Sequence, residues 1–132
     1  METIKIIIEK SSDYYDAYAD NIEGIYGAGE TVEEAKQNIL DGLQLFIKYN
    51  NDHLPNILKG EYTIEFFYDT SSFLKYYSTV FTTSALQRMA GINQTQLTSY
   101  VSGIRKPSKK IVTKLDTAIR NLSKELSQVR FV

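Results

Sequence analysis

A cluster of side chains able to bond the edges of DNA bases lies in the C-terminal half of the chain, with basic residues close behind it. A glutamine amide can form two hydrogen bonds with adenine, and short hydroxyl side chains can bond several bases. The candidates for base contacts are Gln94, Thr95, Gln96, Thr98 and Ser99. Basic side chains bind phosphates, which sets affinity but does not choose a sequence. The candidates for phosphate contacts are Thr83, Arg105, Lys106, Lys109 and Lys110.

Two short helices joined by a tight turn would hold these side chains in place. The sequence predicts helices over Ser84–Ala90 and Gln94–Ser102. Gly91 tolerates the positive φ that the turn needs, and Asn93 can cap the second helix by accepting bonds from backbone amides. The core shared by the two helices is expected to contain Leu86, Ala90, Ile92, Leu97 and Tyr100.

This pattern is typical of a helix-turn-helix that binds DNA. The alternative is a helical hairpin used only for packing or for contact with another protein. The spacing, the turn glycine, the cap and the charge all agree with DNA binding, and agreement across these levels favours that interpretation.

Charge is divided unevenly along the chain. Residues 70–132 hold ten Lys and Arg against two Asp and Glu, a net charge of +8. Residues 1–69 hold five basic against fourteen acidic residues, a net charge of −9, so the total of −1 hides a bipolar protein. Such asymmetry points to a nucleic-acid-binding part joined to something else. We therefore predict two domains, 1–69 and 70–132.

The acidic part is predicted to be a small βββαβ unit with one helix packed on one face of the sheet. Thr31 and Glu34 form a capping box at the start of an amphipathic helix. The polar stretch Asp69–Ser72 is expected to mark the boundary. The predicted elements are strands over Thr3–Glu9, Tyr14–Ala19 and Ile25–Ala28 in an antiparallel meander, a helix over Val32–Tyr49, a loop over His53–Gly60 and a strand over Tyr62–Tyr68.

The basic part is predicted to be all-helical, so the fold class is α+β. Helices are expected over Phe73–Tyr77 and, at the end, over Lys109–Leu126. The last helix carries an apolar stripe, continued by apolar residues beyond it, that exceeds what one small core requires. The stripe and its continuation consist of Ile111, Leu115, Ile119, Leu122, Leu126, Val129, Phe131 and Val132. We expect part of it to build a homodimer or higher homo-oligomer, which would present two helix-turn-helix units to two DNA half-sites.

Other chemistries have weaker signals, and we expect no catalytic residue, metal or cofactor. A metal nuclease needs three or four converging carboxylates, and no spacing brings together a trio from Glu9, Asp13, Asp16, Asp20, Glu23 and Glu30. His53 is the only histidine and there is no cysteine, so an ordinary zinc site is not expected. Aromatic residues could stack on single-stranded nucleic acid, but the acidic charge favours core or partner-interface roles for Tyr14, Tyr15, Tyr18, Tyr62, Phe66 and Tyr68.

No signal peptide or membrane-spanning stretch is predicted, so we expect a soluble cytoplasmic protein. The Ile-rich N-terminus holds only three consecutive isoleucines and is interrupted by charges.

Two motifs together resemble a known family. Residues 83–110, ending in Ser102–Ser108, are similar to the Cro/repressor type of helix-turn-helix. The whole chain resembles the HicB antitoxins over almost its full length. In the N-terminal part the resemblance lies in the strand before Asp20–Gly24, the G-x-T-x-x-E-A motif at Gly29–Ala35 and the helix after it. Gln87 departs from the repressor type, which usually has alanine there because its two helices approach closely.

The resemblance implies a partly RNase H-like N-terminal domain that neutralises a small mRNA-cleaving HicA-type toxin, and a C-terminal domain that binds operator DNA. The expected protein is a type II antitoxin that represses its own operon. The alternative is a stand-alone transcription regulator whose N-terminal domain senses a ligand or another protein. A nuclease is the third possibility.

Overall fold

The computed structural model describes residues 1–132 and has a mixed α+β fold, with one four-stranded sheet and six α-helices. The chain divides into two compact units, residues 1–72 and 73–132. None of the helices has the length and apolar character needed to cross a membrane. The elements are β1 (Glu2–Lys10), β2 (Tyr15–Ala19), β3 (Tyr26–Gly29), α1 (Val32–Tyr49), α2 (Asn56–Lys59), β4 (Tyr62–Tyr68), α3 (Thr70–Tyr76), α4 (Thr83–Ala90), α5 (Gln94–Ser102) and α6 (Lys109–Leu126).

The sheet of the N-terminal unit has the strand order β3-β2-β1-β4. The first three strands pair antiparallel, which confirms the predicted meander. β4 returns parallel to β1, and a parallel return needs a long crossover, which the segment containing α1 supplies. β1 is therefore central, and Ile4, Ile6 and Ile8 on one of its faces are fully buried.

α1 covers that face of the sheet. Thr31 caps it as predicted, because its hydroxyl oxygen accepts a bond from the Glu34 amide at 3.1 Å. The helix buries Val32, Ala35, Ile39 and Leu43. Its approach to β3 is close: a Cβ at Gly27 would lie 2.7 Å from the Cα of Ile39, so only glycine fits there. The opposite face of the sheet is left without a covering helix of this unit.

Two segments of the N-terminal unit differ from expectation. The predicted loop His53–Gly60 contains α2, which forms because Leu58 can be buried against the sheet core, and a short 3-10 turn over Asn51–His53 precedes it. The polar stretch after β4 is also helical. Asp69 accepts a bond from the Ser72 amide at 3.2 Å and starts α3 there, so the division between the units falls inside a helix.

The C-terminal unit has its own smaller core, built from α3, α4, α5 and α6. Its buried members are Leu74, Leu86, Ile92, Leu97, Tyr100 and Leu115. α6 has the predicted bounds, but only Leu115 and Ala118 are buried along its 18 residues. Leu126 and the residues that follow it, including Phe131, are exposed.

Candidate nucleic-acid interface

The turn between α4 and α5 has the predicted geometry. Gly91 adopts the left-handed conformation with φ of 69°, and its amide donates to the Gln87 carbonyl at 2.9 Å. The Asn93 side chain caps α5, since its Oδ1 accepts from the Thr95 amide at 2.7 Å. At the start of α4, the Thr82 hydroxyl accepts from the Ala85 amide at 3.0 Å. Local bonds thus define both ends of the turn.

Buried side chains then set the two helices against each other. Leu86, Ile92 and Leu97 are almost completely buried, and Tyr100 joins them. Ala90 packs against this cluster while remaining partly exposed. These are the core residues that the sequence predicts. Because this face of α5 packs inward, the opposite face of the helix is accessible from solvent.

The available face of α5 carries the predicted base-contact candidates. Gln94, Thr95 and Thr98 are exposed, whereas Gln96 and Ser99 are half-buried. The Thr98 hydroxyl donates to the Gln94 carbonyl at 2.9 Å, and the Ser99 hydroxyl donates to the Gln96 carbonyl at 2.7 Å. With their hydrogens engaged, these two hydroxyls offer lone pairs to an incoming donor, such as the amino group of adenine or cytosine.

Gln94 has a partner that was not expected from the sequence. The Thr83 hydroxyl, at the first position of α4, lies 3.4 Å from Gln94 Oε1 and donates to it. This bond connects the start of α4 to the start of α5 and engages the Gln94 amide oxygen, so the NH₂ group of this exposed side chain remains as its donor. Thr83 is half-buried, and its hydroxyl can orient the Gln94 side chain.

Gln87 does not disturb the helix pair. The side chain is exposed, so its extra length extends into solvent. Its backbone carbonyl accepts the bond from Gly91 that closes α4. The departure from alanine at this position is therefore accommodated on the surface.

The predicted phosphate-contact residues follow α5 on an exposed stretch. Arg105, Lys106, Lys109 and Lys110 are all exposed, and none is in an ion pair, since the chain has a single ion pair between Asp116 and Arg120. α6 begins with two lysines behind the Ser108 cap and has no acidic residue in its first turn. Positive charge at a helix N-terminus opposes the helix dipole, so this turn gains stability when an anion binds.

The carboxylates considered for a nuclease site do not come together. No group of three or more His, Cys, Asp or Glu residues in the chain could hold a metal ion. In the C-terminal unit, the clearest chemical arrangement is the hydrogen-bonding face of α5 with the basic stretch that follows it.

No family model, curated protein or solved structure was found to match this chain.

Proposed function

We propose that this chain is a DNA-binding antitoxin that represses its own operon. The observation that carries the DNA-binding part is the exposed amide and hydroxyl face of α5, held by a buried core and followed by basic residues without ion pairs. Secondary support comes from the net charge of +8 over residues 70–132.

In this proposal α5 lies in the major groove of DNA. Gln94, oriented by Thr83, donates from its NH₂ group to a base acceptor, while Thr98 and Ser99 accept from base amino groups. Arg105 and Lys106 bind the phosphates beside the groove and raise the affinity for every sequence alike. A homodimer would place two such helices on half-sites one turn of DNA apart.

The N-terminal unit binds and neutralises a small basic toxin of the HicA type. Two observations support this part: the resemblance of residues 20–35 and the following helix to the HicB antitoxins, and the net charge of −9 over residues 1–69. An acidic surface steers a basic protein toward it and disfavours nucleic acid. We expect the N-terminal unit only to bind the toxin, and the toxin itself to cleave mRNA.

DNA binding is tested with the purified full chain and the promoter of its own gene. We expect a specific complex whose affinity falls steeply with salt, because phosphate contacts release counterions. A shuffled DNA of the same length and composition is the control. Equal affinity for the promoter and the shuffled DNA would contradict sequence-specific recognition.

The antitoxin part is tested by co-expression with the protein encoded by the gene next to that of this chain, which the proposal expects to be small and basic. We expect that protein to stop growth when expressed alone and to be harmless when this chain is present. A neighbour that is harmless alone, or that stays toxic with this chain, would contradict the antitoxin proposal. If the promoter is still bound, the chain is instead a stand-alone transcription regulator, which the geometry of α4 and α5 supports equally well.

A further inference from the structure

One face of the N-terminal sheet carries a row of apolar side chains that crosses all four strands. In the strand register, Tyr26 of β3 stands opposite Tyr18 of β2, Tyr18 stands opposite Ile7 of β1, and Ile7 stands opposite Phe67 of β4. The row lies on the face opposite to α1. Its two ends are open to solvent, with Tyr26 70% and Phe67 40% exposed. Aromatic side chains aligned in this way are typical anchors of protein interfaces.

Carboxylates flank the row on the same face. Glu9 of β1 stands directly opposite Asp16 of β2, and Glu65 lies on β4 next to Phe67 in the outward register. None of the three carboxylates is in an ion pair. Like charges placed directly opposite each other destabilise a sheet, so this arrangement favours a cationic group from outside. The single basic residue of the face is Lys5, whose Nζ lies 5.1 Å from the centre of the Phe67 ring.

Tyr18 is in direct contact with one of these carboxylates, Glu9. Its hydroxyl donates to Glu9 Oε1 at 3.2 Å. Burial, and after it the charge of Glu9, raise the pKa of the Tyr18 phenol. The row therefore combines an apolar strip with a negative surround, which fits a partner that presents apolar side chains among Lys and Arg.

We propose that this open sheet face, defined by Ile7, Tyr18, Tyr26 and Phe67 with Glu9, Asp16 and Glu65 around them, is the docking surface for a basic protein partner. The inference rests on the proposed antitoxin function, in which that partner is the toxin. Charge complementarity selects this occupant: nucleic acid is repelled, and a second copy of the same face would bring carboxylates against carboxylates. The strand spacing makes the row roughly 14 Å long, enough for a central interface cluster.

The test uses the full chain and the product of the neighbouring gene, which the proposal expects to be a small basic protein, with binding measured by calorimetry. Two variants change the surface: Tyr26→Ala with Phe67→Ala removes the ends of the row, and Asp16→Lys with Glu65→Lys reverses the charge. Two variants are matched controls away from this face. Tyr49→Ala removes an aromatic ring that is 74% exposed at the end of α1, and Asp41→Lys with Asp52→Lys makes the same charge change at exposed sites.

We expect each surface variant to weaken the complex by about tenfold or more and each control to change it by less than about twofold. All variants should keep the wild-type circular dichroism spectrum and unfold in urea as the wild-type chain does, which shows that their N-terminal units are folded. A surface pair that binds the basic protein with wild-type affinity would overturn the inference and leave the antitoxin proposal standing. A wild-type chain that does not bind the basic protein would overturn both. A surface pair that converts a wild-type dimer to a monomer would overturn the inference in favour of a second copy as occupant.

Discussion

The two longest helices of the chain, α1 and α6, have 18 residues each but are charged in opposite ways at their first turns. α1 begins with Glu33 and Glu34 and ends near Lys48, which is the arrangement that the helix dipole favours. α6 begins with Lys109 and Lys110, which the dipole disfavours. The charges of α1 stabilise the fold, whereas those of α6 become favourable when an anion binds.

The two helices also differ in how much they bury. α1 buries four apolar residues against a sheet, and the N-terminal core contains several side chains with no exposed surface. α6 buries only Leu115 and Ala118. The N-terminal unit therefore has the larger core, and the C-terminal unit has less buried surface to lose. Both units leave one face open: the sheet face carries carboxylates, whereas the face of α5 is neutral and is followed by basic residues.

The largest expected effect compares matched truncations of the two cores. Ile6→Ala and Leu97→Ala each remove a completely buried side chain, and each should lower the free energy of unfolding by about 2–5 kcal/mol. The C-terminal unit has the smaller core and should lose its fold. The N-terminal unit should stay folded with a lower melting temperature. Urea unfolding followed by tyrosine fluorescence, together with promoter binding, measures both outcomes.

The control for this comparison is promoter binding by the Ile6→Ala chain, which should be nearly unchanged because the helix-turn-helix lies in the other unit. If Leu97→Ala and Ile6→Ala abolish promoter binding equally, the two cores do not differ as proposed.

The second effect separates the two kinds of DNA contact within the basic unit. Gln94→Ala should weaken promoter binding by about 1–3 kcal/mol and relax sequence preference, because it removes a base contact. Lys106→Ala should weaken all DNA alike and reduce the salt slope by about one unit. Affinities for promoter and shuffled DNA at several salt concentrations distinguish the two. If Gln94→Ala lowers the affinity for promoter DNA and for shuffled DNA equally, Gln94 does not contact a base.

A smaller effect tests the contrast between α1 and α6 directly. Lys109→Glu should stabilise the C-terminal unit by about 0.3–1 kcal/mol, because a negative charge then faces the positive end of the helix dipole. The same variant should weaken DNA binding. Glu33→Lys should destabilise the N-terminal unit by a similar amount and leave DNA binding unchanged. A Lys109→Glu chain that is both less stable and equally able to bind DNA would contradict the functional interpretation of this turn.

The sequence predicted the features that depend on neighbouring residues. The cap at Thr31, the turn at Gly91, the cap at Asn93 and the bounds of α6 were all confirmed. Each is a bond or a backbone conformation formed within a few residues, so the residue types suffice to identify it. The inward and outward faces of α5 followed from helical periodicity in the same way.

Features that depend on distant residues were not predictable. The parallel pairing of β4 with β1 decides that Phe67 joins Tyr18 and Tyr26 on one face, and no local pattern specifies that register. The helix α2 is only four residues long and depends on burial of Leu58 by the sheet. The bond from Thr83 to Gln94 depends on side-chain orientation across two helices. The exposed face of α5 was therefore more predictable than the open sheet face.

The smallest effect concerns pH and belongs to the acidic unit alone. Burial and Glu9 raise the pKa of Tyr18 above its ordinary value of 10.0. The unfolded chain then releases this proton more readily than the folded chain, so stability falls as the pH rises above about 10. Tyr18→Phe should make that fall shallower above about pH 10, as measured by urea unfolding at each pH. The exposed Tyr49→Phe change is the control and should leave the slope as it is. Glu9→Gln should reduce the slope part of the way, because burial of Tyr18 remains when the charge of Glu9 is gone. A slope that Tyr18→Phe leaves untouched would mean that neither burial nor the charge of Glu9 acts on the Tyr18 phenol, and the acidic character of the open sheet face would then rest on the number of its carboxylates alone.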